Sequence, residues 1–274
     1  MIRADLHTHT RHSHAVNSVA EMTRAARETG LETFGFSEHS PRPDGYLYPS
    51  DYQAKLLAGY ADYIAEVQAL RRASTPQFTV LLGLEIDFMP DELEFARQAV
   101  AAHPFDYVIG GLHFQGKWGF DWSQAEWDAI AEAERFKIYA RYYRDLGALI
   151  ESGVAQIIAH PDLIKIYSRE SFDRWLNTPE AARALRRTFG LLQERDLIME
   201  ISSAGLRKPC AEIYPGPRIM RLAAELGLKV CLSSDAHATG QIAYAFDQLE
   251  TYAREYGYAE SWIVAGKQAR AIPF

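Results

Sequence analysis

The feature that most constrains this chain is an alternation: seven short apolar runs, each closing on a polar cluster, separated by stretches of helical period. The runs lie at residues 2–6, 33–36, 78–86, 105–109, 155–159, 197–201 and 228–232. Each is bounded by polar residues or Gly, as strands buried on both faces tend to be. Between the first two runs, residues 18–30 open with Ser18 and Glu21, the spacing of a capping box, and close on Gly30, a natural helix terminator. Residues 123–153 open in the same way with Ser123 and Glu126, and Thr178-Pro179 places an N-cap before a proline at the first helical position. Residues 217–227 and 240–257 complete the helical set. Crossovers of this length between successive strands give parallel pairing. The pattern predicts an α/β fold, a (β/α) barrel of seven units forming a single domain over residues 1–274. A short strand near residues 262–264 is expected to help close it. An open doubly wound sheet is the competing architecture, but no glycine fingerprint follows the first strand. Residues 41–73 and 165–177 are longer than ordinary connections and are expected to act as lids.

The strand ends carry the chemistry. The first closes on Asp5-Leu6-His7-Thr8-His9, with His12 and His14 behind it, and the second on Ser37-Glu38-His39. The third closes on Gly83-Leu84-Glu85-Ile86-Asp87, the fourth on Gly110-Gly111-Leu112-His113 and the fifth on Ala159-His160-Pro161-Asp162. The sixth closes on Glu200-Ile201-Ser202-Ser203 and the seventh on Ser233-Ser234-Asp235-Ala236-His237. In a parallel barrel all these ends open on one face, where active sites are built. The i, i+2 spacing of His7 and His9, repeated by Asp235 and His237, sends both side chains of each pair to one side of a strand. A donor set of imidazoles and carboxylates suits Zn, Mn, Fe or Co rather than Ca or Mg. A carboxylate such as Glu85 can bridge two ions. Any one histidine is more often a satisfied side chain than a ligand, and His103 and His12 keep that plainer reading. Most of the nine histidines nonetheless gather behind predicted strands, which scatter would not produce.

Composition narrows the partners. A formal net charge of -7 with no basic track argues against a nucleic-acid polymer, whose phosphates require a basic surface. A small anionic substrate remains compatible, because a metal and one or two local cations outweigh a modestly acidic surface. The start of the chain is polar and no apolar run is long enough to span a bilayer, so no membrane partner is expected and the location expected is cytoplasmic. The two cysteines, Cys210 and Cys231, lack a CxxC spacing and are expected to be free buried thiols. Oligomeric state is not legible.

Taken together, Asp5-Leu6-His7-Thr8-His9, Ser37-Glu38-His39-Ser40, Gly83-Leu84-Glu85, Ile109-Gly110-Gly111-Leu112-His113, Ala159-His160-Pro161-Asp162 and Ser234-Asp235-Ala236-His237 resemble the polymerase and histidinol phosphatase (PHP) superfamily. The resemblance covers nearly the whole chain in motif order. Within the superfamily it is nearest to the monofunctional histidinol-phosphate phosphatases, through Pro104-Phe105-Asp106-Tyr107-Val108-Ile109-Gly110, Ala204-Gly205-Leu206-Arg207-Lys208-Pro209 and Glu212-Ile213-Tyr214-Pro215. It implies a distorted (β/α)7 barrel with a centre of two or three divalent transition metal ions (Zn, Mn or Fe) at the C-terminal mouth of the strands. The implied ligands are His7, His9, His14, His39, Glu85, His113, His160, Asp235 and His237, with Glu85 bridging and with Glu85, Asp235, His237 and Arg207 in the catalytic set. Arg207 and Lys165 are the implied contacts to substrate phosphate.

The implied reaction is hydrolysis of a small phosphate ester, L-histidinol phosphate, to L-histidinol and phosphate. Asp44, Tyr46 and Tyr48 are chemically suited to its imidazole and ammonium, or else to packing the lid, and a water, Asp162 or a histidine beside the ligands would each serve to protonate the leaving alkoxide. Two other readings compete: a superfamily phosphoesterase acting on another small phosphate or a nucleotide, and a non-catalytic metal-stabilised interaction domain.

Overall fold

The computed structural model describes residues 1–48 and 51–274. Its strands run, in chain order, β1 (Ala4–Asp5), β2 (Thr33–Phe36), β3 (Thr79–Asp87), β4 (Tyr107–Gly111), a small hairpin of β5 (Phe114–Gln115) and β6 (Trp118–Gly119), then β7 (Ile157–Ile158), β8 (Ile198–Ser202), β9 (Lys229–Ser233), β10 (Glu260–Ala265) and β11 (Gln268–Pro273). The strands β1-β2-β3-β4-β7-β8-β9 form one parallel sheet in sequential order. The seven expected strands are all present and in the expected pairing.

Helices cover the connections: α1 (Val19–Glu28), α2 (Tyr52–Arg72), α3 (Leu93–Ala101), α4 (Gln124–Asp128), α5 (Glu132–Ser152), α6 (Arg169–Leu176), α7 (Pro179–Glu194), α8 (Pro217–Glu225) and α9 (Phe246–Glu255). The Ser18–Glu21 capping box forms at α1, and Thr178 caps α7 through the Ala181 N–H at 3.1 Å. The long helix expected over residues 123–153 is instead two helices, α4 and α5, and Ser123 makes no capping bond. Trp127 is fully buried with its indole N–H on the Phe120 carbonyl, and the Arg135 guanidinium takes the carbonyls of Trp127 and Ile130 at the break. Burying that indole and satisfying those carbonyls outweigh helix continuity. The two segments expected to be lids are largely helical, as α2 and α6.

Among the described residues, the sheet closes at its mouth. Edge strands β1 and β9 meet beyond their ends in a parallel bridge of Thr8 with Ala236, where the His9 N–H donates to the Ala236 carbonyl at 2.8 Å and the Ala236 N–H to the His7 carbonyl at 3.2 Å. The C-terminal segment does not supply a closing strand, contrary to expectation. β10 pairs antiparallel with β11, and the hairpin plugs the opposite end of the barrel. Ile263 and Val264 pack with Ala4, Leu81, Tyr107, Ile157 and Cys231, while Lys267 N–H and Gly266 N–H bond to Asp106, just before β4. Once the hairpin satisfies its own backbone, its apolar face is what remains to offer the barrel.

The interior is filled by Tyr107, whose hydroxyl donates to the Leu6 carbonyl at 2.5 Å across the barrel. Two glycines make room for it. A Cβ at Gly35 would sit 2.1 Å from the Tyr107 hydroxyl, and one at Gly83 would sit 2.2 Å from its ring carbon Cζ. Each Gly→Ala change is therefore expected to overpack the barrel and cost about 1–3 kcal/mol or more. Urea unfolding of the double variants separates the two. Tyr107→Phe should restore part of the loss in Gly35→Ala, where the hydroxyl is the nearest atom, and little of the loss in Gly83→Ala, where the ring is. Equal or absent rescue would contradict this packing.

Candidate metal centre

Every strand end named in the sequence reaches the same mouth, and the donors converge on Glu85. Its Oε2 faces His7 Nε2 at 3.2 Å, His9 Nε2 at 3.3 Å and His39 Nδ1 at 3.3 Å. Its Oε1 faces His160 Nε2 at 3.2 Å and His113 Nε2 at 3.6 Å. One carboxylate thus presents its two oxygens to two different sets of imidazoles. Asp235 enters from β9, with Oδ1 at 3.3 Å from His9 Nε2 and 3.7 Å from His7 Nε2. Both Asp235 (φ 49°) and His160 (φ 21°) hold left-handed backbone that residues with a Cβ seldom adopt, a kind of strain that gathers at functional sites.

Outer carboxylates fix the rings. Glu200 meets His7 Nδ1 at 2.6 Å and also accepts from the His160 N–H at 2.7 Å and the Ser233 hydroxyl at 2.6 Å. Glu38 meets His9 Nδ1 at 3.3 Å and accepts from the Thr10 N–H at 2.9 Å. A proton held on Nδ1 by a carboxylate leaves Nε2 as the electron-pair donor, which is how metal-ligating histidines are commonly oriented. Asp87 serves a second pair, lying 3.1 Å from His39 Nδ1 and 2.6 Å from His113 Nδ1, and is itself held by the Arg42 guanidinium.

The residues present fit metal ions. Among the described residues, the buried Nε2 atoms of His7, His9 and His237 and Nδ1 of His160 have no hydrogen-bond partner, although burial of an unpaired polar atom is costly. Donor atoms lie within 4.8 Å of one another in the groups His7-His9-Glu85, Glu85-His113-His160, His7-His160-Asp235, His9-His39-His237 and His39-Asp87-His113. Charge points the same way. Burial pushes the carboxyls of Glu85 and Asp235 up, yet the surrounding imidazoles hold both well below the usual range. His113 is pulled down by burial but pushed up to about 9 by Asp87 and Glu85. The carboxylates of the pocket are therefore ionised, and the same attraction raises the imidazoles of His7 and His9, so the pocket holds positive charge either as protons on its histidines or as metal ions.

The sequence-derived candidates divide. His7, His9, His39, Glu85, His113, His160, Asp235 and His237 are together. His14 stands at the open rim, its ring 4.3 Å from that of His237 and 5.3 Å from that of His39, but it joins none of the convergent donor groups. His12 turns away to Glu66 at 3.3 Å, and His103 packs on Tyr60 and Phe105. Lys165 does not reach the mouth: it is buried with Nζ 2.7 Å from both Asp162 and Glu212. Arg207 is half-buried and engaged with the main chain. Its guanidinium donates to the carbonyls of Ser234 (2.5 Å) and Asp235 (3.1 Å), whereas its neighbour Lys208 lines the cavity. Asp44 and Tyr46 bind Lys117 outside the cavity, and only Tyr48 of that trio lines it. The supporting residues Glu38, Glu200, Asp87 and Arg42 were not assigned roles from sequence. Asp87 carried a usable signal, since it lies two residues beyond Glu85 on the same side of β3.

Because Glu200 sets the tautomer of His7, Glu200→Gln is expected to weaken metal retention about 10–100-fold while leaving the fold intact. Titration of metal-stripped protein with zinc, monitored alongside circular dichroism, checks this. Unchanged affinity would show that the ring is oriented without it.

Known proteins bear on the same residues. The PHP domain family matches residues 5–204. A Deinococcus radiodurans protein named "Probable histidinol-phosphatase" is 34% identical, over 92% of this chain and 93% of its own. The histidinol-phosphatase of Bacillus subtilis is 24% identical, over 90% of this chain and 98% of its own. The crystal structure of histidinol phosphate phosphatase from Lactococcus lactis, complexed with zinc, L-histidinol and phosphate, superposes with a TM-score of 0.73 at 18% identity, covering 98% of each chain. With the barrel and its mouth in the order that the motifs dictate, the chain belongs to the PHP domain family.

Proposed function

We propose that this chain is a metal-dependent phosphomonoesterase that hydrolyses L-histidinol phosphate to L-histidinol and phosphate. The observation that carries the metal-dependent part is the double engagement of Glu85, one oxygen toward His7, His9 and His39 and the other toward His113 and His160. The substrate is supported by the likeness to relatives named histidinol-phosphatase. The mouth opens into a cavity of about 490 Å³, a volume suited to a small ester. Among the described residues, no helix is long and apolar enough to cross a membrane.

We assign His7, His9, His39, Glu85, His113, His160, Asp235 and His237 to hold two or three divalent ions, with His14 available at the rim. When bound, such ions lower the pKa of water to about 7 and offset charge on a phosphoryl group. The chain supplies the rest. Glu200 and Glu38 keep the rings of His7 and His9 in one tautomer. Arg207 braces the Asp235 turn from behind through two main-chain carbonyls. Lys208, exposed on the cavity wall, is placed to meet phosphate oxygens as charge builds on them. The convergent donor set also weighs against a purely structural metal domain, since a closed structural site would not keep a substrate-sized cavity open beside it.

Phosphate release from a panel of small phosphomonoesters, by protein supplied with zinc or manganese, tests the reading. L-Histidinol phosphate should be preferred and chelator should abolish turnover. Glu85→Gln should lose metal and activity together. Chelator-sensitive hydrolysis of other esters only would overturn the substrate, and full metal content in Glu85→Gln would overturn the bridging assignment.

A further inference from the structure

The metal-binding wall is one side of the cavity. Tyr48, Asp121, Trp122, Ile166 and Tyr167 line another and contribute no donor to the centre. Asp121 stands out there by its pairing. Around the mouth, Glu85 and Asp235 face imidazoles, Asp87 holds Arg42, and Asp51 pairs with Lys55 at 3.0 Å. Asp121 lines the same cavity, yet among the described residues no Lys, Arg or His nitrogen lies within ion-pair distance of it, and its charge reaches His113 only as a minor influence beside those of Asp87 and Glu85. Asp121 accepts instead from a neutral donor, the Tyr48 hydroxyl, at 2.6 Å to Oδ1. A carboxylate fixed by one short hydrogen bond keeps acceptor capacity for a second donor.

The surroundings of Asp121 are aromatic and fixed. Tyr48 stacks between Trp122 (ring centroids 5.4 Å apart, planes at 23°) and Phe114 (5.2 Å, 29°). The Tyr167 hydroxyl donates to the Trp122 carbonyl at 3.4 Å. Trp122 nevertheless leaves 44% of its surface exposed. An aromatic face beside an unpaired carboxylate is a surface suited to an organic cation, which gains from both the ring quadrupole and the charge. Lys208, also on the cavity wall, is likewise without an ion-pair partner among the described residues. Among the described residues, the cavity therefore offers Lys208 and Asp121 as a cation and an anion outside any ion pair, complementary to a molecule carrying a phosphate and a positive charge.

We propose that Asp121, set on the Tyr48–Trp122 stack, binds the positively charged organic end of the substrate and so selects amino-alcohol phosphates over neutral phosphomonoesters. This rests on the phosphomonoesterase reading of the site. It deepens that reading by naming the charge of the alcohol and the residue that senses it. Asp121 acts here as a specificity residue, distinct from the groups at the reacting phosphorus.

The test compares metal-loaded wild type, Asp121→Asn and Tyr48→Phe on four esters: L-histidinol phosphate, O-phosphoethanolamine, ethyl phosphate and p-nitrophenyl phosphate. The quantity read is the ratio of kcat/KM for an ammonium ester to that for a neutral one. Asp121→Asn should lower this ratio about 10–100-fold, the loss expected for one hydrogen bond to a charged group, and Tyr48→Phe should lower it less. Equal loss on charged and neutral esters, or an unchanged ratio, overturns the proposal. If wild type does not hydrolyse L-histidinol phosphate, the substrate reading fails by itself, and the ratio for O-phosphoethanolamine over ethyl phosphate still decides the role of Asp121. With no turnover of any ester, calorimetric binding of L-histidinol decides it: weaker binding in Asp121→Asn upholds the proposal and equal binding refutes it. Should Asp121→Asn fail to fold, Tyr48→Phe carries the same comparison.

Discussion

Everything at the mouth depends on one seam, the junction of the first and last strands of the sheet. Asp5 is fully buried there, and its carboxylate accepts from the Ser234 N–H at 3.1 Å, the Ser234 hydroxyl at 2.5 Å and the Ala243 N–H at 3.3 Å. Burial pushes the Asp5 carboxyl up to about 6 in spite of those hydrogen bonds. The seam thus carries a real electrostatic cost, and its donors are what keep it bearable. Thr8 and Ala236 continue the junction one step outward as a bridge. The consequence is geometric. His7 and His9 follow Asp5, and Asp235 and His237 follow Ser234, so the contact that closes the barrel also brings two pairs from opposite ends of the chain together at the mouth, where Glu85 and Asp235 both face His7 and His9.

Closure alone would leave the rings free to turn. The outer carboxylates remove that freedom by a common device, an acceptor on Nδ1 that commits Nε2 to the centre. Glu200 does more than orient His7, since it also accepts the main-chain N–H of His160 and the hydroxyl of Ser233. It therefore ties β7, β8 and β9 to the first strand's histidine. Arg42 plays a comparable part for Asp87: its guanidinium lies under Tyr48, Tyr52 and Phe114, which shield the ion pair from water and strengthen it. The chain's own hydrogen bonds thus hold the donor rings in place, which lowers the cost of binding an ion.

The sequence made the strand ends legible because a parallel barrel converts order along the chain into position around a ring. That rule needs no tertiary detail, and eight of the nine implied ligands converge as it requires. The supporting residues were harder to read, because they obey the same spacing as the ligands. Glu38 and His39 are adjacent on one strand end, and only the fold reveals that Glu38 serves a histidine from the neighbouring strand. Lys165 and Arg207 show the other limit. Each is a cation near a motif, and what decides its role is a contact far away in sequence: Glu212 for Lys165, and the carbonyls of Ser234 and Asp235 for Arg207. The C-terminal hairpin failed for a similar reason, since an apolar stretch such as Ile263-Val264 announces burial without announcing which end of the barrel it will fill.

The two walls of the cavity differ in how they are built, and the difference has a functional logic. The candidate metal donors sit on strand ends or directly beyond them, where register fixes each backbone to its neighbours. Tyr48 and Asp121 sit on connections, the first between β2 and α2 and the second between β6 and α4. Residues on connections can change without moving a strand, whereas a shift in the strands would disturb every ligand at once. A barrel arranged in this way keeps the phosphate chemistry constant while the connections set which alcohol is accepted. Its selectivity would then be expected to reside in the hydrogen bond and ring stack that join those two connections, Tyr48 to Asp121 and Tyr48 to Trp122.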